Sequence, residues 1–149
     1  MIKTFRGLLA DGDTQIIRLG TNRGEIGYKV RKFEAFPYSP TDDNAENVLT
    51  IWTQKADAEG AEATEVNFSA PTLLAALYIS NHGGEENVFV KDTVIIDSVK
   101  FNQDIFIASR IKSGAVESSG INYYIELEQF KLDLNEATVA TLKDLRGSQ

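Results

Sequence analysis

Turn-forming residues punctuate this chain roughly every ten positions, and short runs rich in β-branched and aromatic residues fill the intervals. A parallel sheet needs crossovers of a dozen or more residues between its strands. The spacing therefore excludes βαβ units and points to antiparallel strands in a sandwich or barrel. Residues 2–9 read as a first strand. Asp11-Gly12 supplies the positive φ of a tight hairpin, and 14–19 returns as its partner. The glycines of "GTNRGEIG" mark a turn or bulge before a strand at 28–36, which Pro37 and Pro40 close. Along the next strand, Leu49 and Ile51 take one face and Val48, Thr50 and Trp52 the other. The acidic "DAEGAEATE" reads as an exposed, mobile connection, and 66–68 as a brief pairing segment. "SAPTLLAALYIS" reads as a short internal helix, in which Ser69 caps, Pro71 suits the first turn and Leu73, Leu74 and Leu77 share a face. The same run also reads as one helical turn entering a strand at Tyr78 and Ile79. His82 falls in the loop "NHGGEEN", and further strands follow at 88–90, 93–96, 105–111 and from Ile121 onward.

Read this way the chain holds about eight to ten short strands, one short internal helix and a C-terminal helix. The fold class is mainly β: residues 1–149 form a single antiparallel β-sandwich domain, with a single jelly roll as the preferred topology. With 149 residues, 42% of them hydrophobic, the chain buries a core without covalent staples.

The end of the sequence, "NYYIELEQFKLDLNEATVATLKDLRGSQ", carries the densest local signals. Ile121, Tyr123, Ile125 and Leu127 alternate with polar partners as in a half-buried strand, and the paired tyrosines must face opposite ways. From Phe130 the apolar residues move to even positions, so the expectation is a bulge near Gln129 or an exit from the sheet there. Asp133 and Glu136 match a capping box, and Gly147 stops the helix that follows. Residues 134–146 are thus expected to form a docking helix whose stripe is Leu134, Thr138, Leu142 and Leu145, seated on its own sheet or on a neighbouring subunit. With the outward Tyr124, these are the candidate interface residues.

Chemistry finds little to work with. The sequence has no cysteine, and His82 is its one histidine, so thiolate chemistry and the usual His- or Cys-rich zinc sites are excluded. A lone histidine beside glycines reads as a turn residue rather than a general base. The acid pairs at Asp11 and Asp13, Asp42-Asp43 and Glu85-Glu86 read as solvated turn acids, since adjacency in a loop does not set two carboxylates across a cleft. "GTNRGEIG" lacks the Lys-Ser/Thr ending of a phosphate-binding loop. No catalytic, cofactor-binding or metal-ligating residue is therefore assigned. Phe33, Phe36, Tyr38, Trp52 and Tyr78 are the aromatics available for a sugar platform or cavity, with core packing as the plainer reading. The net charge of −7 argues against nucleic acid as a direct partner, the Lys29, Arg31 and Lys32 group reading as a solvated strand face. No run approaches a membrane span or a signal peptide, so synthesis in a host cytoplasm is the expectation.

"FNQDIFI", a polar loop, and then "NYYIELEQFKLDLNEATVATLKDLR" resembles small structural proteins of marine bacteriophages, and "RGLLADGDTQIIRLGTNRGEIGYKVRKF" shares that likeness. The resemblance implies a non-enzymatic capsid, vertex or decoration subunit located in the virion. Its partners would be copies of itself and other virion proteins, and it needs no cofactor. The alternative is a β-sandwich binding module for a glycan or small ligand.

Overall fold

In a computed structural model, residues 1–20, 26–39, 45–82, 88–96, 99–111 and 120–132 are described. They contain β1 (Ile2–Leu9), β2 (Thr14–Ile17), β3 (Ile26–Pro37), β4 (Ala45–Trp52), α1 (Lys55–Glu59), β5 (Leu73–His82), β6 (Val88–Ile95), β7 (Ile105–Ile111) and β8 (Ile121–Lys131). A three-stranded sheet has the order β1-β8-β3 and a five-stranded sheet the order β2-β7-β4-β5-β6, and every pairing is antiparallel. The protein is a mainly β, sandwich-like fold. The C-terminal helix expected at 134–146 lies outside the described residues.

The inner faces interdigitate as alternation requires. Across the three-stranded sheet, Phe5, Ile125 and Phe33 sit side by side in register. Ile125 and Phe33 are fully buried, and Leu49, Ile51, Leu77, Ile105 and Ile107 of the five-stranded sheet complete the core. Tyr123 is core and Tyr124 is outward, as their adjacency demands. The Tyr123 ring lies across Gly7 on the neighbouring strand, and its hydroxyl donates to Gln15 Oε1 on β2 at 3.2 Å, tying the sheets together. A Cβ at Gly7 would stand 2.7 Å from that hydroxyl oxygen and 2.9 Å from ring carbons. Gly7→Ala is expected to displace the ring and cost about 1–3 kcal/mol, read as a lower urea midpoint.

Several local expectations are corrected. First, Asp11-Gly12 does not join paired strands, because β1 pairs with β8 and β2 with β7. Gly12 does take a positive φ of 84°, but the turn is a corner between sheets. The Gly12 N–H donates to the Ser109 carbonyl at 2.9 Å, and the Ser109 N–H donates to the Asp13 carbonyl at 3.0 Å. An Asp-Gly pair suits a hairpin and a corner equally; the long-range partners decide.

Second, the run expected to be helical is β5. Leu73, Leu74, Ala75, Ala76 and Leu77 are buried on both faces between β4 and β6, the setting in which a continuous apolar run belongs to a central strand. Pro71 occupies a turn that the Leu73 N–H closes on the Ala70 carbonyl at 3.3 Å. The short helix is instead α1, which begins at Lys55, before the connection expected to stay exposed, and runs into it, where Ala58 is completely buried.

Third, β8 neither bulges nor leaves at Gln129. Its pairing with β3 runs unbroken through Tyr28↔Gln129, Gly27↔Phe130 and Ile26↔Lys131. The extra residue is on the partner: the register shifts between Val30 and Lys32, so inward positions change from Tyr28 and Val30 to Phe33 and Ala35. Phe130 keeps its outward phase, with the Lys29 and Lys100 ammonium groups 5.7 and 5.6 Å from its ring centroid.

Fourth, residues 66–68 form no strand: the Asn67 carbonyl accepts from the Ala70 N–H at 3.1 Å in a local turn, and Val66 and Phe68 are exposed. Lys91 and Asp92 do not separate two strands; they lie within the continuous β6.

Candidate binding cleft

The aromatic residues named above go to different places. Phe33 is core, Phe36 and Tyr38 are 63% and 59% exposed, and Tyr78 stands on the outer face of the five-stranded sheet. Of the five, Trp52 lines a cleft. That cleft is built by the excursion between β4 and β5. Its neck is closed where the Thr53 N–H donates to the Thr72 carbonyl at 2.9 Å. α1 forms one wall, with an Ala58 N–H to Gln54 carbonyl bond at 3.2 Å at its start and a Gly60 N–H to Ala56 carbonyl bond at 3.0 Å at its end. A Lys55–Glu59 pair at 3.7 Å runs along its solvent side. The return limb turns at Asn67, whose side-chain oxygen accepts from the Ser69 N–H at 2.9 Å.

Arg110 on β7 holds the excursion in place. Its guanidinium donates to the carbonyls of Ala58, Glu59 and Ala61 at 3.0, 3.1 and 3.0 Å, supplementing the Ala61 N–H that already reaches the Ala58 carbonyl at 3.3 Å. The same group reaches the Asp13 carbonyl at 3.1 Å, the Ser109 carbonyl at 2.9 Å and the Thr14 hydroxyl at 3.2 Å. One side chain thus joins the cleft wall, the Asp11-Gly12 corner and the five-stranded sheet. Local pattern gave no hint of this role. The available signal was an arginine inside the otherwise apolar and small-residue strand "IFIASRI", a charge that needs acceptors wherever it lands.

The cleft has a volume of about 550 Å³ and is lined by Trp52, Asp57, Glu62, Glu65, Asn67 and Thr72 among others. The indole N–H donates to Thr50 Oγ1 at 2.7 Å, which fixes the ring. The Thr72 hydroxyl donates to Asp57 Oδ2 at 2.5 Å, which fixes the carboxylate. Its charged lining groups are all acids.

The other candidates are scattered. Tyr124 is half-buried on the outer face of the three-stranded sheet, between Arg6 and Glu34 in register, with the Lys32 ammonium 6.0 Å from its ring centroid. Its hydroxyl donates to Glu126 Oε1 at 2.8 Å, and that bond is the main reason its proton is held above the ordinary phenol range. Burial does the same to Tyr123. His82 ends β5, paired with Val88, instead of lying in the loop. Asp11 accepts from Asn47 Nδ2 at 2.7 Å, while Asp42-Asp43 and Glu85-Glu86 lie outside the described residues. So do Leu134, Thr138, Leu142 and Leu145. Among the described residues no three His, Asp or Glu side chains gather as metal ligands, and no helix is long and apolar enough to cross a membrane. The sequence matches no protein family and no curated protein.

Proposed function

We propose that this chain is a non-enzymatic structural subunit of a bacteriophage particle, a capsid, vertex or decoration protein, built on a single jelly roll. The supporting observation is the pairing of first strand with last, second with seventh and fourth with fifth, the order of a long antiparallel ladder rolled on itself. In such a roll the remaining pair is third with sixth. Here β6 departs from that order, since it pairs with β5 from Ala75↔Ile95 to His82↔Val88. Its link to β3 is the Glu34–Lys91 ion pair, and β3 takes its backbone partner from beyond β6, where Tyr28 and Phe101 exchange hydrogen bonds at 2.7 and 3.0 Å. Jelly rolls serve repeatedly in viral capsids and lectins. The outer face of the three-stranded sheet adds a second support: Leu8 and Phe36, 43% and 63% exposed, flank Asn122 in one row. The charge of −7 suits an outer position away from packaged nucleic acid. Residues 134–146 would extend the contact surface through Leu134, Leu142 and Leu145.

Light scattering of the purified full chain, alone and mixed with shells lacking it, tests this reading. Self-association or shell binding is expected, and deletion of residues 134–149 should weaken it. A strict monomer that binds no shell would sink the proposal. The Trp52 cleft favours a second reading, a β-sandwich module that binds a glycan or small ligand.

A further inference from the structure

We infer that the Trp52 cleft binds the terminal ring of a neutral carbohydrate, with the indole as its platform. The inference deepens the binding-module reading and rests on it; assembly is not required. The cleft's volume of about 550 Å³ falls inside the roughly 300–1,000 Å³ range of small-molecule sites and leaves ample room for a pyranose. Its rim, at Glu62, Glu65, Asn67 and Pro71, is exposed, so it admits the end of a longer chain.

The chemistry of the lining selects the ligand class. Because the indole N–H is taken by Thr50, what Trp52 offers a ligand is ring surface. The negative face of that ring attracts the weakly positive C–H groups on the apolar side of a pyranose. The carboxylates of Asp57, Glu62 and Glu65 accept hydrogen bonds and donate none. Asn67 has its oxygen occupied by the Ser69 N–H, which leaves its amide protons as donors. The Thr72 hydroxyl donates its hydrogen bond to Asp57 and retains lone pairs as acceptors. A sugar diol needs acceptors for its protons and donors for its oxygens beside an apolar face, and the cleft presents all of these. An anion would meet acids with no basic side chain in the lining. A purely apolar ligand would strip water from the carboxylates and return no hydrogen bond. An organic cation is the rival: it would satisfy the carboxylates but leave the Asn67 donors idle. Single-ring binding through so few groups is weak, and an assembled particle would strengthen it by presenting many clefts at once.

Trp52 is the sole tryptophan, so intrinsic fluorescence reports on the cleft without labelling. The full chain would be titrated with methyl glycosides of glucose, galactose, mannose and N-acetylglucosamine, and separately with arginine amide. A saturable change is expected with at least one glycoside, with Kd of roughly 1–10 mM. Raising NaCl from about 50 to about 500 mM should leave it unchanged, since the ligand is neutral. Glu65→Gln keeps an acceptor and loses the charge, so Kd should move less than about threefold. Trp52→Leu, read by amide shifts of residues 56–72 after circular dichroism shows an intact fold, should weaken binding about tenfold or more. No saturation by any glycoside up to about 100 mM overturns the inference. So does a salt-sensitive response to arginine amide alone, which would make the cleft a cation site. Light scattering on the same samples, alone and mixed with shells lacking the protein, separates the proposals: a sugar-binding monomer that binds no shell leaves this inference standing and defeats assembly, while an oligomer or shell-binding subunit that binds no glycoside does the reverse.

Discussion

Arg110→Ala is expected to lower the stability of the protein by about 3 kcal/mol, the largest loss from any single partly exposed side chain in the described structure. The guanidinium meets five backbone carbonyls and one hydroxyl, drawn from β2, α1, the 59–61 turn, the Asp11-Gly12 corner and β7 itself. A hydrogen bond to a charged group contributes about 1.5–3 kcal/mol when shielded from water. Two of these reach exposed carbonyls that water can rehydrate, so the sum falls well short of six such bonds. Arg110→Lys should recover less than half of the loss, because an ammonium has three donors and cannot span acceptors on opposite sides of a planar fork. Urea unfolding gives the stability change. Hydrogen exchange at the Ala58 and Gly60 amides should also show the cleft wall opening below the global unfolding free energy. Equal protection in the alanine variant would mean that α1 is held by Ala58 packing alone.

Phe33→Ala carries the second large effect, about 3–5 kcal/mol, and its value lies in the comparison with Phe36→Ala on the same strand. Phe33 is 1% exposed and stands beside Ile125, while Phe36 is 63% exposed beside Asn122. Truncating Phe36 should change stability by no more than about 0.5 kcal/mol. For a chain of this size each kcal/mol moves Tm by about 2–4 °C, so the two variants should differ by about 10 °C. The difference depends on the extra residue at Arg31, which sets the phase of everything after it. Were β3 regular, Phe33 would turn outward and the ranking would reverse.

The phase change is expected in the tail, and 28–36 as one regular strand, although the residues of that strand carry the same signal. Tyr28 and Val30 are even, and Phe33 and Ala35 are odd, so β3 announces a slip as clearly as the tail does at Phe130. In the tail, the apolar residue leaves the core phase because lysine stems cover it. In β3, the strand itself gains a residue. Alternation reports a change of environment and cannot tell those causes apart. β1 and β7 could be read to the residue, since each alternates or runs apolar between unambiguous turns. β5 could not, because leucine and alanine favour helices in isolation and only its burial between two strands overrides them.

The cleft was the least legible feature. Trp52 was visible as a ligand-binding candidate, but its surroundings come from a low-hydrophobicity connection and from Arg110, about sixty positions away in sequence, so no local window contains the site. An Ala-rich stretch ending at Gly60 did mark α1, with Lys55 and Glu59 one turn apart, yet its acidity suggested a solvated loop. Tyr124 shows the converse: sequence correctly put it on the outer face, while the structure shows its hydroxyl already engaged by Glu126.

The proposal of a jelly roll, and the structural role argued from it, stands on which strands pair across the corner at Asp11-Gly12. Backbone nuclear Overhauser contacts in the labelled protein test that directly. The account predicts cross-strand contacts between Phe5 and Ile125 and between Gln15 and Ile107, with no ladder of backbone contacts between β1 and β2, which meet where the Gln15 side chain donates to the Leu8 carbonyl. A ladder of contacts joining residues 5–9 to 14–17 would show a simple hairpin and contradict the rolled arrangement.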